Sequence, residues 1–156
     1  MTEWAWGVDV STTRLAVGAL APDGQWWTTS MDVPNPGKSA DGVRLAKLRH
    51  MTMDWARSIE LPRRPTVIVV ENPMTRHNHF MLVAAAGVVI EALYTQLRCP
   101  VLELGIQKWK KEVIGNGNAS KDAITAHAAR LGYLGPVQDE ADALCLAVAA
   151  LNRLPA

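Results

Sequence analysis

Residues 4–18 read WAWGVDVSTTRLAVG, and the pattern of this stretch decides how the rest of the chain is arranged. Apolar, aromatic and β-branched residues up to Val8 and Val10 predict a buried strand. Ser11, Thr12 and Thr13 make a polar turn, and residues 15–20 return as a second apolar strand, so the chain opens on a hairpin. The first strand carries one carboxylate, Asp9, where the flanking pattern calls for core. Burying a carboxylate is costly unless it is paired or meets a cation. The turn donors beside it are placed to hold a phosphate or a metal-bound water. On this stretch alone, a turn-capping aspartate and a site aspartate are equally good readings.

Outward from the hairpin, Pro22-Asp23-Gly24 is a turn signal, and residues 25–33 read as a third strand of an antiparallel meander ended by Pro34-Asn35-Pro36-Gly37. Leu45, Leu48, Met51 or Thr52, Trp55 and Ile59 fall at helical spacing, which predicts an amphipathic helix over 40–60 with a basic outer face. Pro62 and Pro65 close it. TVIVV at 66–70 has the look of a central strand buried on both faces, and it stops at Glu71. Residues 79–97 predict a long, Ala-rich helix interrupted by Gly87, with small residues suited to close packing within a monomer or across a dimer. A short strand over 101–104, a short helix over 107–114 and a loop at Gly115-Asn116-Gly117-Asn118 come next. Ser120 is the expected N-cap of a helix reaching Leu131, and the last helix covers 139–153. This order predicts one α/β domain over residues 1–156, a mixed five-stranded sheet flanked by helices.

Composition narrows the class. At 49% hydrophobic and 20% charged, the 156 residues can bury a real core and are not expected to be disordered. The net charge of +1 hides an uneven distribution. Seven Lys/Arg face three acids between 38 and 64, and four Lys face two Glu between 103 and 121. Cys99 and Cys145 lack metal-ligand spacing and predict reduced, buried thiols without a disulfide. With no N-terminal signal pattern, and with an uncharged apolar stretch over 80–90 too short to span a bilayer, the expectation is a soluble, cytoplasmic protein with no membrane contact.

Carboxylates carry the functional signal. Asp9 interrupts a strand, Glu71 ends one, and Asp139 and Asp142 open the last helix. Spacing of three puts Asp139 and Asp142 on one helix face, whereas Glu140 points elsewhere. Ligands of open α/β sheets gather where strands end, which suits Glu71. Asp139 reads equally well as a helix N-cap. Asp142 does not, because it precedes the apolar run ALCLA. If the four meet, the donor set is all oxygen and favours Mg²⁺ or Mn²⁺ over Zn²⁺. Two such ions, roughly 3.5–4 Å apart, can activate water and stabilise a leaving oxygen in phosphodiester cleavage.

In order along the chain, GVDVSTTRLAVG with Asp9, VIVVEN with Glu71, KKEVIGNGNASK and DEADALCLA resemble the RuvC family of Holliday junction resolvases, over nearly the whole length and in a short form similar to bacteriophage-encoded members. The resemblance implies a ribonuclease H-like fold and an endodeoxyribonuclease that resolves four-way DNA junctions by paired symmetric nicks, with other branched DNA as a further candidate substrate. It implies a two-fold homodimer, for which the helix over 79–97 is the candidate interface. It also implies that Asp9, Glu71, Asp139 and Asp142 are catalytic metal ligands, for two ions, and that Lys110 and Lys121 contact the scissile phosphate region. This chain departs from the family in having Asn72, Pro73 and Met74 after the strand-ending Glu, where an aromatic often stacks on junction bases. Met74 or Phe80 is the replacement expected to wedge into DNA. Ser11-Thr12-Thr13 also stands where many members have Pro-Gly-Ser or Pro-Gly-Thr.

Around these residues, Lys108, Lys110 and Lys111 read as a basic cluster for phosphate, against a merely solvated face. Asn116, Gly117 and Asn118 with Lys121 read as a close backbone approach to DNA, against an ordinary loop before a capped helix. Trp109, amid lysines, is the one tryptophan expected to face DNA, while Trp26, Trp27 and Trp55 are assigned to the core. His77 and His79 are expected to be surface residues without a role. The competing functions are a YqgF/RuvX-like nuclease acting on RNA, a non-catalytic junction-binding protein, and the nucleotide-binding half of a sugar kinase or actin-like fold. The last fits poorly, since those chains are much longer and no second Gly-rich phosphate loop is present.

Overall fold

The computed structural model describes residues 2–34, 40–72 and 80–156. Met74, His77, His79 and the Asn35-Pro36-Gly37 break lie outside these residues. Strands β1 (Trp4–Val10), β2 (Arg14–Leu20) and β3 (Trp26–Asp32) form the meander, followed by helix α1 (Asp41–Ser58). Next come β4 (Pro65–Asn72), α2 (Phe80–Leu97) and β5 (Val101–Gly105). Helices α3 (Ile106–Ile114), α4 (Lys121–Leu131) and α5 (Gln138–Leu151) complete the chain. The sheet order is β3-β2-β1-β4-β5. β1–β2 and β2–β3 are antiparallel, while β1–β4 and β4–β5 are parallel.

Two apolar layers cover the two sheet faces. Trp6, Val8, Val17, Ile68 and Val70 pack against Leu48 and Ala56 of α1 and Ala85, Val89 and Leu93 of α2. On the opposite face Ala5, Val67, Val69 and Leu104 meet α5 through Leu144, Cys145 and Ala149, with Ile124 and Ala128 of α4 behind. The residues at helical spacing in α1 turn inward as expected, and the Thr52 hydroxyl is made tolerable there by donating to Leu48 O at 2.7 Å. Both cysteines are free and buried, and burial pushes the Cys99 thiol up to about 11 and the Cys145 thiol to about 12.

The face that meets α5 decides the geometry of the site. Alternation along β1 and β2 puts Ala5, Gly7 and Asp9 on it, opposite Leu20, Gly18 and Ala16. A Cβ on Gly7 would run into the backbone of Ala143 and Ala147, and one on Gly18 into the backbone of Leu144. The helix therefore lies in backbone contact with the hairpin, and its N-terminal turn comes down beside Asp9.

Several expectations shift. β4 does not stop at Glu71 but pairs on through Asn72, which faces Gly105 of β5. Trp26, Trp27 and Trp55 are only half-buried, whereas Trp4, Trp6 and Trp109 form the sequestered set. Gly87 lies on the exposed side of α2, with nothing within 4 Å of a Cβ placed there, so the close packing of this helix uses Ala85, Ala86 and Ala92 instead. Over its full 18 residues α2 is long and apolar enough, by length and composition alone, to cross a membrane. Its inner face is built into the core, and Glu91 on its outer side is ion-paired with Arg49 of α1 at 2.8 Å.

Candidate metal centre

Asp9, Asp139 and Asp142 converge. One carboxylate oxygen from each lies within 4.8 Å of the others, with all three side chains partly buried. Asp9 arrives from β1, and the two helical aspartates from adjacent turns of α5, on the face their spacing predicts. Val137 rather than Asp139 occupies the N-cap of α5, and it makes no side-chain cap. Asp139 is thus free for the cluster. Glu71 stands next door, since the β1–β4 pairing runs to Val8 opposite Val70, and its charge bears directly on Asp9.

The electrostatics describe an anionic site that is only partly compensated. Burial pushes the Asp9 carboxyl well above its usual range, and the charges of Glu71, Asp142 and Asp139 push it further. Burial likewise raises Glu71, against a hydrogen bond from Trp109 and the nearby Lys110 charge. Asp142 is raised by burial and by Asp139, and lowered by its bond from Gln138 and by Lys110 and Lys121. Three carboxylates held this close, with the charge of Glu71 bearing on them, offer only oxygen donors and suit a hard divalent cation.

An outer ring of contacts holds these groups. Trp109 Nε1 donates to Glu71 Oε2 at 2.6 Å. Gln138 Nε2 donates to Asp142 Oδ1 at 2.9 Å, and Thr125 of α4 donates to Gln138 Oε1 at 3.1 Å. Arg14 is anchored by Nε to Asp32 at 2.8 Å and brings its NH1 to 3.8 Å from Asp139. Glu140 does point elsewhere: it accepts from Thr28 and Ser30 of β3, each at 2.6 Å, and so fastens the first turn of α5 to the sheet.

The lysines divide. Lys110 and Lys121 act on the carboxylates, and Lys110 Nζ also donates to Ala119 O at 3.4 Å. Lys108 and Lys111 are exposed on α3, and the charge of Lys108 bears on Glu112 instead. Asn116 Oδ1 accepts from the Asn118 N–H, and Gly117 sits where a Cβ would press on Gln107 O at 3.1 Å. Ser120 caps α4 as expected, accepting from the Ala123 N–H at 3.2 Å.

One expectation fails. Trp109 does not face DNA: it is 1% exposed, because the rotation of about 100° per residue along α3 turns it away from its lysine neighbours and into the core layer beside Glu71. The Ser11 hydroxyl is engaged within the turn, accepting from the Arg14 N–H at 2.9 Å and the Thr13 N–H at 3.2 Å. Of the contacts that sequence reasoning missed, Gln138–Asp142 carries a readable signal in its i,i+4 spacing. Arg14–Asp32 needed the β2–β3 register, and Trp109–Glu71 spans 38 residues with no local signature.

Over 154 residues, 96% of this chain and 81% of its relative, the sequence is 31% identical to the crossover junction endodeoxyribonuclease RuvC of Nocardia farcinica. This chain belongs to the RuvC family. The RuvC structure from Thermus thermophilus superposes with a TM-score of 0.72, at 20% identity over 96% of this chain and 95% of that one. T. thermophilus RuvC in complex with Holliday junction substrate gives 0.71, at 20% identity over 97% and 95% of the two chains. The yeast mitochondrial Holliday junction resolvase gives 0.58, at 10% identity over 95% and 81%. These structures show a shared RuvC-type, ribonuclease H-like fold. No family model matches the chain.

Proposed function

We propose that this chain is a divalent-metal-dependent, structure-selective endonuclease that resolves four-way DNA junctions by paired symmetric nicks. The observation that carries this reading is the convergence of Asp9, Asp139 and Asp142 beside Glu71, in a chain of the RuvC family. In our reading these four residues are the ligands, with Mg²⁺ or Mn²⁺ at two positions. When bound, the ions supply a polarised water and counter-charge for the leaving oxygen.

The chain's own residues do the rest. The carboxylates orient the attacking water in line with the scissile bond. As its oxygen bonds to phosphorus, the bond from phosphorus to the 3′ oxygen breaks, leaving 5′-phosphate and 3′-hydroxyl ends. Lys110 and Lys121, whose charges reach Asp142, stabilise the phosphate as charge develops on it. Lys108 and Lys111 with the backbone around Asn116, Gly117 and Asn118 extend the phosphate contact along the strand. Met74 is assigned to the junction bases on sequence alone.

Two symmetric cuts call for two active sites on a two-fold axis. Phe80, Val83 and Tyr94 leave apolar surface exposed on α2, at 71%, 43% and 52%. With Gly87 they fall within one narrow arc of the helix, a stripe that a second copy of the chain would cover. Val83→Glu is expected to turn a sedimenting dimer into a monomer and paired nicks into single ones. We place the protein in the cytoplasm, where its DNA substrate is met.

The product ends test the chemistry. Junction arms cut by symmetric nicks should be sealed to intact duplex by DNA ligase without further treatment. Unsealable products would mean asymmetric cuts or different ends, and would contradict the reading.

A further inference from the structure

Trp109 lies between Lys108 and Lys110, on a helix whose other polar residues meet solvent, yet its ring is 1% exposed. Its indole nitrogen donates to Glu71 Oε2 at 2.6 Å, a short, charge-assisted bond from α3 to β4. Indole N–H is a donor only, so it can hold an acceptor oxygen and nothing else. The ring is rigid and walled in by the packed layer of Val69, Leu104, Ile124 and Leu144. The bond therefore commits one Glu71 oxygen and fixes the carboxylate's rotation, as partners behind metal ligands commonly do.

We propose that Trp109 is a positioning residue, whose indole N–H holds the Glu71 carboxylate in the orientation that binds a divalent cation beside Asp9. This rests on the reading of Glu71 as a ligand. It also explains a tryptophan at this point of α3: a phenyl ring would fill most of the space but could not hold the oxygen. Gln138 does for Asp142 what Trp109 does for Glu71, so each of these two ligands is gripped by a neutral donor from behind.

The experiment is calorimetric titration of the DNA-free protein with Mn²⁺, for wild type, Trp109→Phe, Glu71→Gln and the double variant. A second form carries benzothienylalanine at position 109, which keeps the shape of tryptophan with sulfur in place of N–H. The proposal expects Trp109→Phe and the sulfur analogue each to weaken Mn²⁺ binding about tenfold. It expects Trp109→Phe to add nothing in the Glu71→Gln background. If Glu71→Gln weakens binding while the sulfur analogue binds as wild type, Trp109 is a packing residue and the proposal falls alone. If Glu71→Gln itself binds Mn²⁺ unchanged, the ligand reading of Glu71 falls, and the proposal with it.

Discussion

Gly7 and Gly18 stand opposite each other on β1 and β2, and the missing side chains of both are what lets α5 rest on the hairpin backbone. Two residues further along the same face is Asp9, and towards the N-terminus of α5 lie Asp142 and, about a turn beyond it, Asp139. The carboxylate cluster is thus a consequence of helix-on-strand contact at two glycines. Gly7→Ala puts a methyl into the backbone of Ala143 and Ala147, which cannot give way as a side chain could. A loss of about 3 kcal/mol is expected, at the upper end of overpacking costs, with a melting temperature lower by on the order of 10 °C. Cleavage at a temperature where the variant is still folded should fall as well, because α5 is lifted from Asp9.

Asp9→Asn separates catalysis from stability. Cleavage should drop to the level of an enzyme-free control while junction binding, read by gel shift, persists. Loss of binding too would make Asp9 a structural residue.

The same variant gives the pH dependence its sign. The folded-state proton affinity of Asp9 is raised, so the native protein holds a proton that the unfolded chain releases above about pH 4. Stability contributed by this group is present below the unfolded value and is lost as pH rises through the folded one. In EDTA, Asp9→Asn should therefore be more stable than wild type at pH 8, by roughly 1.4 kcal/mol per unit of upward shift. The difference should shrink to nothing towards pH 4. Added Mn²⁺ should restore the wild type at pH 8 and not the variant. Chemical denaturation at both ends of this range checks it.

Glu140 was legible only by exclusion: its spacing turned it from the site, and nothing local named Thr28 and Ser30 as its partners. Most of the fold was readable, because strand alternation and helical spacing are local patterns, and Asp9, Asp139 and Asp142 broke those patterns visibly. Trp109 and Arg14 were not readable. A tryptophan among lysines looks solvent-facing until the carboxylate 38 residues away is brought under it, and an arginine opening a strand means nothing before its register is known. Gly7 and Gly18 carried a signal, since glycine inside a strand marks close backbone approach, but its meaning came only with α5.

Removing both hydroxyls that hold Glu140 leaves a half-buried charge without its donors. Thr28→Val with Ser30→Ala should cost about 2–3 kcal/mol in urea unfolding. Adding Glu140→Leu should recover much of it, since a buried polar group without a partner is worse than none. If the triple variant is no more stable than the double, the contact is not a clip on α5.

Lys110→Ala should lower the single-turnover cleavage rate about a hundredfold, as loss of one preorganised charge at a reacting phosphate does. Lys108→Ala should leave that rate near wild type, weaken DNA binding of every sequence alike, and reduce the salt slope by about 1. Equal effects of the two substitutions would remove the distinction the geometry draws between them.

The central claim is metal-dependent cutting of branched DNA by the carboxylate cluster. The most direct measurement incubates the protein with a synthetic four-way junction and a matched linear duplex, each in Mg²⁺, Mn²⁺ or EDTA. Paired, symmetric nicks are expected in the junction alone, in either metal and not in EDTA. Cutting of the linear duplex at the same rate, or junction cutting that survives EDTA, would contradict it.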